Sequence, residues 1–260
     1  MNFITTKIMG GLGNYLFQIA TTYSKSIDDN LTFLLDSNDI IIKHSNPEKY
    51  KKNIFRKINF QQIVGSYNSY KEPSFNYNVL PKFSNNTKMI GYFQSEKYFN
   101  HNRKTILDLF SINDETKQFL ISKYGELLKN ETCSLHVRRG DYLRLSEFHS
   151  PQSVDYYKKS VEVIGDNFHF LIFSDDIRWC KKNLSFIKNK TFIEGNDDYQ
   201  DLYLMSMCKN NIIANSSFSW WGAWLNVNEN KKIISPKIWF GEKNKHLNTN
   251  DIYCDNWIKL

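Results

Sequence analysis

The chain reads as an α/β protein built on parallel sheet, and three observations predict it. Short apolar runs of strand length alternate with segments of helical length along most of its 260 residues. The helical segments carry apolar residues three and four apart. Several strand-like runs end in glycine, serine, arginine or aspartate, and in open α/β sheets the carboxyl ends of the strands are where ligands gather.

Taken in order, FITTKIM predicts a strand that leads through GGLGN into a helix, with Leu16, Ala20, Tyr23 and Ile27 as its buried stripe. Within residues 28–44, LTFLLD predicts a second strand. From about 45 to 88, Asn, Lys, Tyr and Pro punctuate the pattern and loops are expected. MIGYFQ predicts a strand, and Ser95 a cap for a helix starting at EKYF. A second block opens near residue 130 and is the cleaner of the two. CSLHV reads as a strand, VDYYKKSVEVI as a helix, FHFLIFSDD as a strand ending in acids, and TFIE as a short strand. DDYQDLYLMSMCK is a helix with Leu202, Met205 and Lys209 on successive turns. NIIANSS is a strand and loop, FSWWGAWL a helix, and KKIISP a further strand.

Composition narrows the class. With 41% apolar and 15% aromatic residues, the chain can bury one large core or two small ones. The 23% of charged residues argues against wholesale disorder. The net charge of +7 is a mild bias, compatible with a phosphate-bearing ligand, nucleic acid or an anionic membrane surface, and equally with a general taste for lysine. Lys and Arg are scattered and no nucleic-acid motif occurs, so no nucleic-acid partner is expected. Cys133, Cys180, Cys208 and Cys254 form no CxxC pair, which suggests neither zinc nor a disulfide framework and favours a reduced, cytoplasmic setting. MNFITTKIMGGLGN has no long apolar stretch or cleavage-site pattern, so no signal peptide is expected. No segment reaches the roughly 18 apolar residues that a membrane helix needs.

Three strand ends and one glycine turn carry the candidate chemistry. In SLHVRRGDY, side chains alternate, so His136 and Arg138 share one face and Arg139 points the other way. Arg138 at the tip can fork onto a phosphate with two hydrogen bonds. Arg139 suits an internal ion pair, with Asp141 as the expected partner, and Gly140 permits a sharp turn. Alone, RRGD reads as a surface salt bridge beside a turn. In NIIANSSFSWWGAWL, an apolar strand runs into Asn215, Ser216, Ser217, Phe218 and Ser219 at the start of a helix. The unpaired N–H groups of a first turn attract phosphate, and hydroxyls add donors. Ordinary capping accounts for one serine, not for three. Trp220, Trp221 and Trp224 are assigned to the core. In FLIFSDDIRWC, Ser174, Asp175 and Asp176 follow an apolar strand; a carboxylate there either accepts two N–H bonds from guanine or caps the next helix. In GGLGN, Gly10, Gly11 and Gly13 let backbone approach a ligand, and Asn14 either bonds that ligand or caps the helix. GxGxxG is not met, because Leu16 stands where the third glycine would be. The chain has no Asp-x-Asp, no GxxxxGK[ST], no GxSxG and no HExxH, so no metal site is expected.

In combination these segments resemble one family. GGLGNYLFQIA, GYFQSEKYF, HVRRGDY, DYYKKSV, FSDD and LMSMCKNNIIANSSFSWWGAWLN occur in the order seen in glycosyltransferase family 11, the α-1,2-fucosyltransferases, from residue 8 to about 240. The resemblance implies a GT-B-like fold with two facing Rossmann-type halves: residues 1–129 on the acceptor side, 130–245 binding GDP-fucose, and a tail, 246–260, packing back on the N-terminal half. It implies an inverting transfer of L-fucose from GDP-β-L-fucose to a 2-hydroxyl, galactose being the usual acceptor residue, with no cofactor and no required metal. By matching motifs, His136 and Arg138 contact GDP, with Arg138 on the β-phosphate. Ser216, Ser217 and Ser219 hold the pyrophosphate, and Asp175 or Asp176 recognises guanine. Arg139, Ser174, Asn215 and Phe218 complete the donor set, while Gly11, Gly13 and Asn14 line the cleft from the other half. Among Asp141, Glu147 and His149 on the loop after the strand, Asp141 is read as orienting the arginines and Glu147 as the general base. The chain departs from the family where Asn210 replaces the histidine of CKH and where Tyr15 replaces the glutamine of GNQ; the second departure bears on acceptor contacts. The implied setting is bacterial O-antigen or lipopolysaccharide synthesis, with a glycan or lipid-linked oligosaccharide acceptor and a peripheral place on the inner face of the inner membrane. Two other readings stand beside it: a GDP-fucose transferase of another linkage (α-1,6 or O-fucosyl), and a non-catalytic binder of nucleotide or anionic glycan.

Overall fold

In the computed structural model, which describes residues 2–37 and 48–260, the first strand, β1 (Phe3–Thr6), turns through Gly10 and Gly11 into an 18-residue helix, α1 (Leu12–Asp29). Gly10 has φ +89°, and a Cβ there would stand 2.2 Å from the Asn14 side chain, so both backbone and space require glycine. The buried face of α1 is wider than one stripe: Leu12, Tyr15, Leu16, Ile19 and Ala20 are all buried, while Tyr23 is half-buried and Ile27 is exposed. The helix emerges from the core in its last turn, which is why the expected stripe fails at Ile27. It ends on left-handed Asn30, whose N–H closes onto carbonyls of the last turn.

LTFLLD is split. β2 (Thr32–Phe33) pairs with β1, whereas β3 (Leu35–Asp36) pairs with β4 (Phe60–Gln61). The expected loop stretch is mostly irregular among its described residues, but it holds three short elements before β6: α2 (Glu48–Lys51), β4 and β5 (Asn68–Lys71). Their shortness and polar composition hid them. Residues 38–44 of the expected strand region and 45–47 of the expected loop lie outside the described residues. β6 (Thr87–Ile90) is shorter than MIGYFQ predicts, because the chain turns at Gly91 and Phe93 takes φ +51°. Ser95 does cap a helical turn, accepting the Lys97 N–H at 3.3 Å, but the turn is a 3₁₀ helix, Glu96–Tyr98. The sheet is parallel, in the order β2-β1-β6-β5. With α3 (Arg103–Leu109), these elements form the first of two units, Met1–Asn113 with Asn248–Cys254.

The second unit is Asp114–Leu247 with Asp255–Leu260. It begins one helix earlier than the expected division at 129/130. That helix, α4 (Asp114–Leu128), is held by Lys123 and Tyr124, which both donate to Asn196 Oδ1 (2.7 and 3.0 Å). The tail divides as well. Asp251 accepts from the Tyr77 N–H and from Lys97 in the first unit, while β12 (Ile258–Lys259) joins the second sheet.

That sheet comprises β7 (Thr132–Val137), β8 (His169–Ser174), β9 (Lys190–Phe192), β10 (Asn210–Ile212), β11 (Ile233–Ser235) and β12, all parallel, in the order β9-β8-β7-β10-β11-β12. The helices are α5 (Val154–Ile164), α6 (Ile177–Asn183), α7 (Asp198–Met207) and α8 (Ser217–Trp224). Every residue of β7 is buried, as a central parallel strand requires. Leu202 and Met205 are buried as expected, but Lys209 lies beyond the end of α7, exposed and paired with Glu131. Trp220, Trp221 and Trp224 are core residues, Trp220 packing also on Trp257. The chain runs outward from β7 to β9, returns to β10 beside β7, and runs outward again to β12. The strand order therefore reverses between β7 and β10, the place where open α/β sheets take ligands.

Candidate active site

The reversal between β7 and β10 brings together, within the second unit, the residues singled out on its three strand ends. β7 delivers His136 in its last turn of pleat and Arg138 just past its end. His136 is buried, and its Nδ1 finds no hydrogen-bond partner within the described residues. Burial, with the Arg138 charge adding to it, pushes its pKa down to about 3, so the imidazole is neutral. Its ring lies 5.6 Å from that of Phe218 at the start of α8, linking the two elements.

Arg138 is set by two carboxylates: Nη2 donates to Asp141 Oδ1 at 2.7 Å, and Nη1 lies 3.0 Å from Asp175 Oδ2. The guanidinium lies over the Tyr142 ring, 5.4 Å from its centroid. Arg139 does not pair with Asp141 as expected. It turns to the β8 side, donates from Nε to Asp176 Oδ2 at 3.2 Å, and stacks over Trp179 at 4.2 Å. Strand alternation and the Gly140 turn separate the two arginines, so each has its own acid. Gly140 is needed for contact: a Cβ there would stand 2.6 Å from Asp175 Oδ2.

Asp175 and Asp176 are thus engaged with the chain itself. Asp175 Oδ1 accepts the Arg139 N–H at 2.9 Å. Asp176 Oδ1 accepts the Trp179 N–H at 3.0 Å, capping α6, and its own N–H donates to Ser174 Oγ at 2.9 Å. Of the two alternatives left open for these acids, capping accounts for Asp176.

Past the end of β10, Ser216 is the residue before α8, with an extended backbone, and its side chain makes no capping hydrogen bond. The first turn of α8 contains no acidic residue. Its N–H groups and dipole therefore remain the positive end of the site. Ser217 and Phe218 are half-buried, and Ser219 is buried with its hydroxyl 3.4 Å from the Ser216 carbonyl. Asn215 acts as a clamp: its Nδ2 donates to the carbonyls of Ser150 (3.0 Å) and Trp239 (2.8 Å), and its buried Oδ1 has no partner within the described residues. Tyr142 Oη donates to the Asn215 carbonyl at 3.0 Å, and burial pushes that phenol up to about 12. Tyr142 also stacks on His149 (4.8 Å, 19° between planes). Burial lowers the pKa of His149, so it too is neutral at neutral pH. Glu147 is largely exposed and pairs with Lys243 at 2.6 Å.

Tyr142 and Trp179, which fix the two arginines, escaped the sequence reading. Their signal was available as aromatics three and four residues after the charged strand ends. The glycine turn belongs to the first unit. There Gly11 precedes α1, Gly13 is buried within it, and Asn14 accepts from Gln94 Nε2 at 2.7 Å instead of capping the helix. Among the described residues, no group of three or more His, Cys, Asp or Glu is placed to hold a metal, and no helix is long and apolar enough to cross a membrane.

The chain matches the model of glycosyl transferase family 11 over residues 1–260. It is 32% identical to the O-antigen biosynthesis glycosyltransferase WbnK of Escherichia coli, covering 97% of this chain and 99% of that one. It is 29% identical to an α-1,2-colitosyltransferase of Escherichia coli, covering 100% and 99%. Among solved structures it resembles the α-1,6-fucosyltransferase NodZ of Bradyrhizobium soaked with GDP-fucose: TM-score 0.59, 12% identity, 86% of this chain and 93% of that one. That likeness shows the fold, a GT-B-like pair of parallel α/β units.

Proposed function

The chain belongs to glycosyl transferase family 11, and from that premise we propose that it moves L-fucose from GDP-β-L-fucose to a 2-hydroxyl of a glycan, with galactose as the acceptor residue, by inversion at the sugar carbon. The observation that carries this reading is the convergence of a buried neutral imidazole with an unpartnered Nδ1, a guanidinium held by two acids, and an uncapped helix N-terminus where the strand order reverses. Such a set of donors suits a diphosphate.

The acceptor oxygen attacks the anomeric carbon from the face opposite GDP. The bond from that carbon to the β-phosphate oxygen breaks, and its electron pair leaves with GDP. Arg138 and the α8 N–H groups meet the growing charge, so no metal is required of the chain. The attacking hydroxyl gives up its proton to a base. Of the three candidates, Asp141 is engaged by Arg138 and Glu147 by Lys243, while His149 is neutral and its ring lies against those of Tyr142 and Phe240. We therefore read His149, in place of Glu147, as the base.

WbnK is by name an O-antigen enzyme, which supports a setting in surface-polysaccharide synthesis; a place on the cytoplasmic side and a lipid-linked acceptor are further parts of the proposal. The colitosyltransferase favours a second reading in which the donor is GDP-colitose. Incubation of the chain with each donor and a panel of galactosides, with the product linkage assigned by NMR, tests both. An α-1,2-fucosyl product is expected. A different linkage overturns the regiochemistry, a preference for GDP-colitose overturns the donor, and donor binding without transfer to any acceptor overturns the enzymatic reading.

A further inference from the structure

The first unit also reverses its strand order beside its first strand: β2 lies on one side of β1 and β6 on the other. The loops at the carboxyl ends of β1 and β6 are therefore the ligand-bearing loops of that sheet. Both are fixed by side chains that the sequence reading did not use. Gln18, buried in α1, holds Met9 at both backbone groups, accepting its N–H at 3.0 Å and donating to its carbonyl at 3.2 Å. After β6, the Glu72 carboxylate accepts two successive N–H groups, Tyr92 on Oε2 at 2.7 Å and Phe93 on Oε1 at 3.0 Å. A Cβ at Gly91 would lie 2.4 Å from Glu72 Cβ, so the glycine exists to let the acid come this close. Phe93 is driven to φ +51° and buried completely, a strained conformation that persists only where its surroundings enforce it. The turn has two results. Gln94 reaches Asn14 and joins the two loops, and Tyr92 is left with its ring exposed.

We propose that Glu72 is a positioning residue that holds Tyr92 as the stacking face for the acceptor's terminal sugar, with the Asn14–Gln94 pair beside it to meet the sugar's hydroxyls. The proposal rests on the transferase reading above. An aromatic ring pressed on the C–H face of a pyranose, with a few fixed polar groups at its rim, is the usual chemistry of a carbohydrate pocket. The Asn14–Gln94 bond uses one group of each amide and leaves Asn14 Nδ2 as donor and Gln94 Oε1 as acceptor for neighbouring hydroxyls.

The test uses the full chain with GDP-fucose, first choosing an acceptor from lactose, N-acetyllactosamine and galactosyl-β-1,3-N-acetylgalactosamine by transfer. Failure to transfer to any hexose overturns the proposed function and this inference with it. With the chosen acceptor, Tyr92→Ala is expected to raise the acceptor KM about tenfold or more while the donor KM stays within twofold. Tyr92→Phe keeps the ring and should restore the acceptor KM to within threefold. Glu72→Gln, which offers only one of the two acceptor oxygens, should raise the acceptor KM about fivefold with the same split. Tyr92 is exposed, so its variants will fold. Unchanged acceptor KM in Tyr92→Ala and Glu72→Gln, or equal changes in both KM values, overturns the inference while leaving transfer itself intact.

Discussion

Replacing Arg138 with alanine tests the electrostatic core of the proposed mechanism. Two unit charges about 4 Å apart at an effective dielectric near 20 interact by about 4 kcal/mol. A third of the Arg138 side chain is exposed, so screening reduces this to about 3 kcal/mol. At about 1.4 kcal/mol per decade, turnover should fall roughly 10²-fold. The loss should not be smaller, because the variant leaves Asp141 and Asp175, which now neutralise the guanidinium at 2.7 and 3.0 Å, as bare carboxylates near the diphosphate. A range of roughly 10²–10³ follows, as for the loss of a single oxyanion donor. Arg138→Lys keeps the charge but cannot span both acids and a phosphate, and should recover less than about tenfold. Stability should hardly change, since partly exposed pairs contribute about 0–1 kcal/mol each. Steady-state transfer from GDP-fucose, with a thermal melt beside it, reads both. A folded Arg138→Ala within about threefold of wild-type turnover would refute the reasoning.

Three further perturbations separate structural from chemical roles. Ser216→Ala removes a hydroxyl that makes no cap; the melt should therefore move less than the ~1 kcal/mol of an ordinary cap loss, while the donor KM rises several-fold, and a large melt shift with normal KM would count against a donor role. If His149 is the base, turnover requires its neutral form, whose range burial extends below the usual histidine pKa. The acid limb of the pH–rate profile should then lie below about 6.5 and be absent from His149→Ala; its survival in that variant would assign the base elsewhere. Asp201 is raised to about 6 by burial, against the hydrogen bond from Asn196 that lowers it. Its folded pKa lies above its unfolded one, so its stabilising contribution is full below the unfolded value and is lost as pH rises through 6. Asp201→Asn should match wild type near pH 4 and melt higher at pH 8, by about 1–2 kcal/mol after allowance for partial exposure; equal melts at pH 8 would refute the ionisation cost.

The second unit was legible because its signals are local. VDYYKKSVEVI is helix α5 from end to end, and the capping serine before it accepts the Tyr156 N–H. β7 and β8 are six residues long, and β8 carries four consecutive apolar residues, Phe170 to Phe173, enough to stand out. The first unit was less legible because its strands are two to four residues long and its sheet is made by pairing across distance: β5 reads NSYK and owes its place to Met89 and Ile90 opposite it. The same contrast holds in the site. That Arg138 and Ser216 stand at strand ends follows from sequence position. Which acid each arginine takes does not, since it depends on the Gly140 turn and on β8 lying beside β7. Glu72 shows the limit most clearly: nothing in KEPSFN marks a carboxylate that shapes a turn twenty residues on.

The charge count at the site bears on how it can work. The two arginines face three carboxylates, Asp141, Asp175 and Asp176, within 3.2 Å. The net charge of +7 over the whole chain is therefore not concentrated there, and the site cannot hold a diphosphate simply by being positive. What it offers is direction. The acids spend two of the Arg138 N–H groups on fixing the guanidinium plane, and its remaining donors point from a set position. Asp176 does the same for Arg139 while capping α6. The α8 N–H groups and the His136 imidazole add donors that carry no full charge. Pairing the arginines with acids also avoids the repulsion that two unpaired arginines on adjacent residues would impose on the fold. Binding then depends on preorganised geometry more than on long-range attraction, which is the arrangement that favours the charge developing during bond breaking over the charge already present in the bound donor.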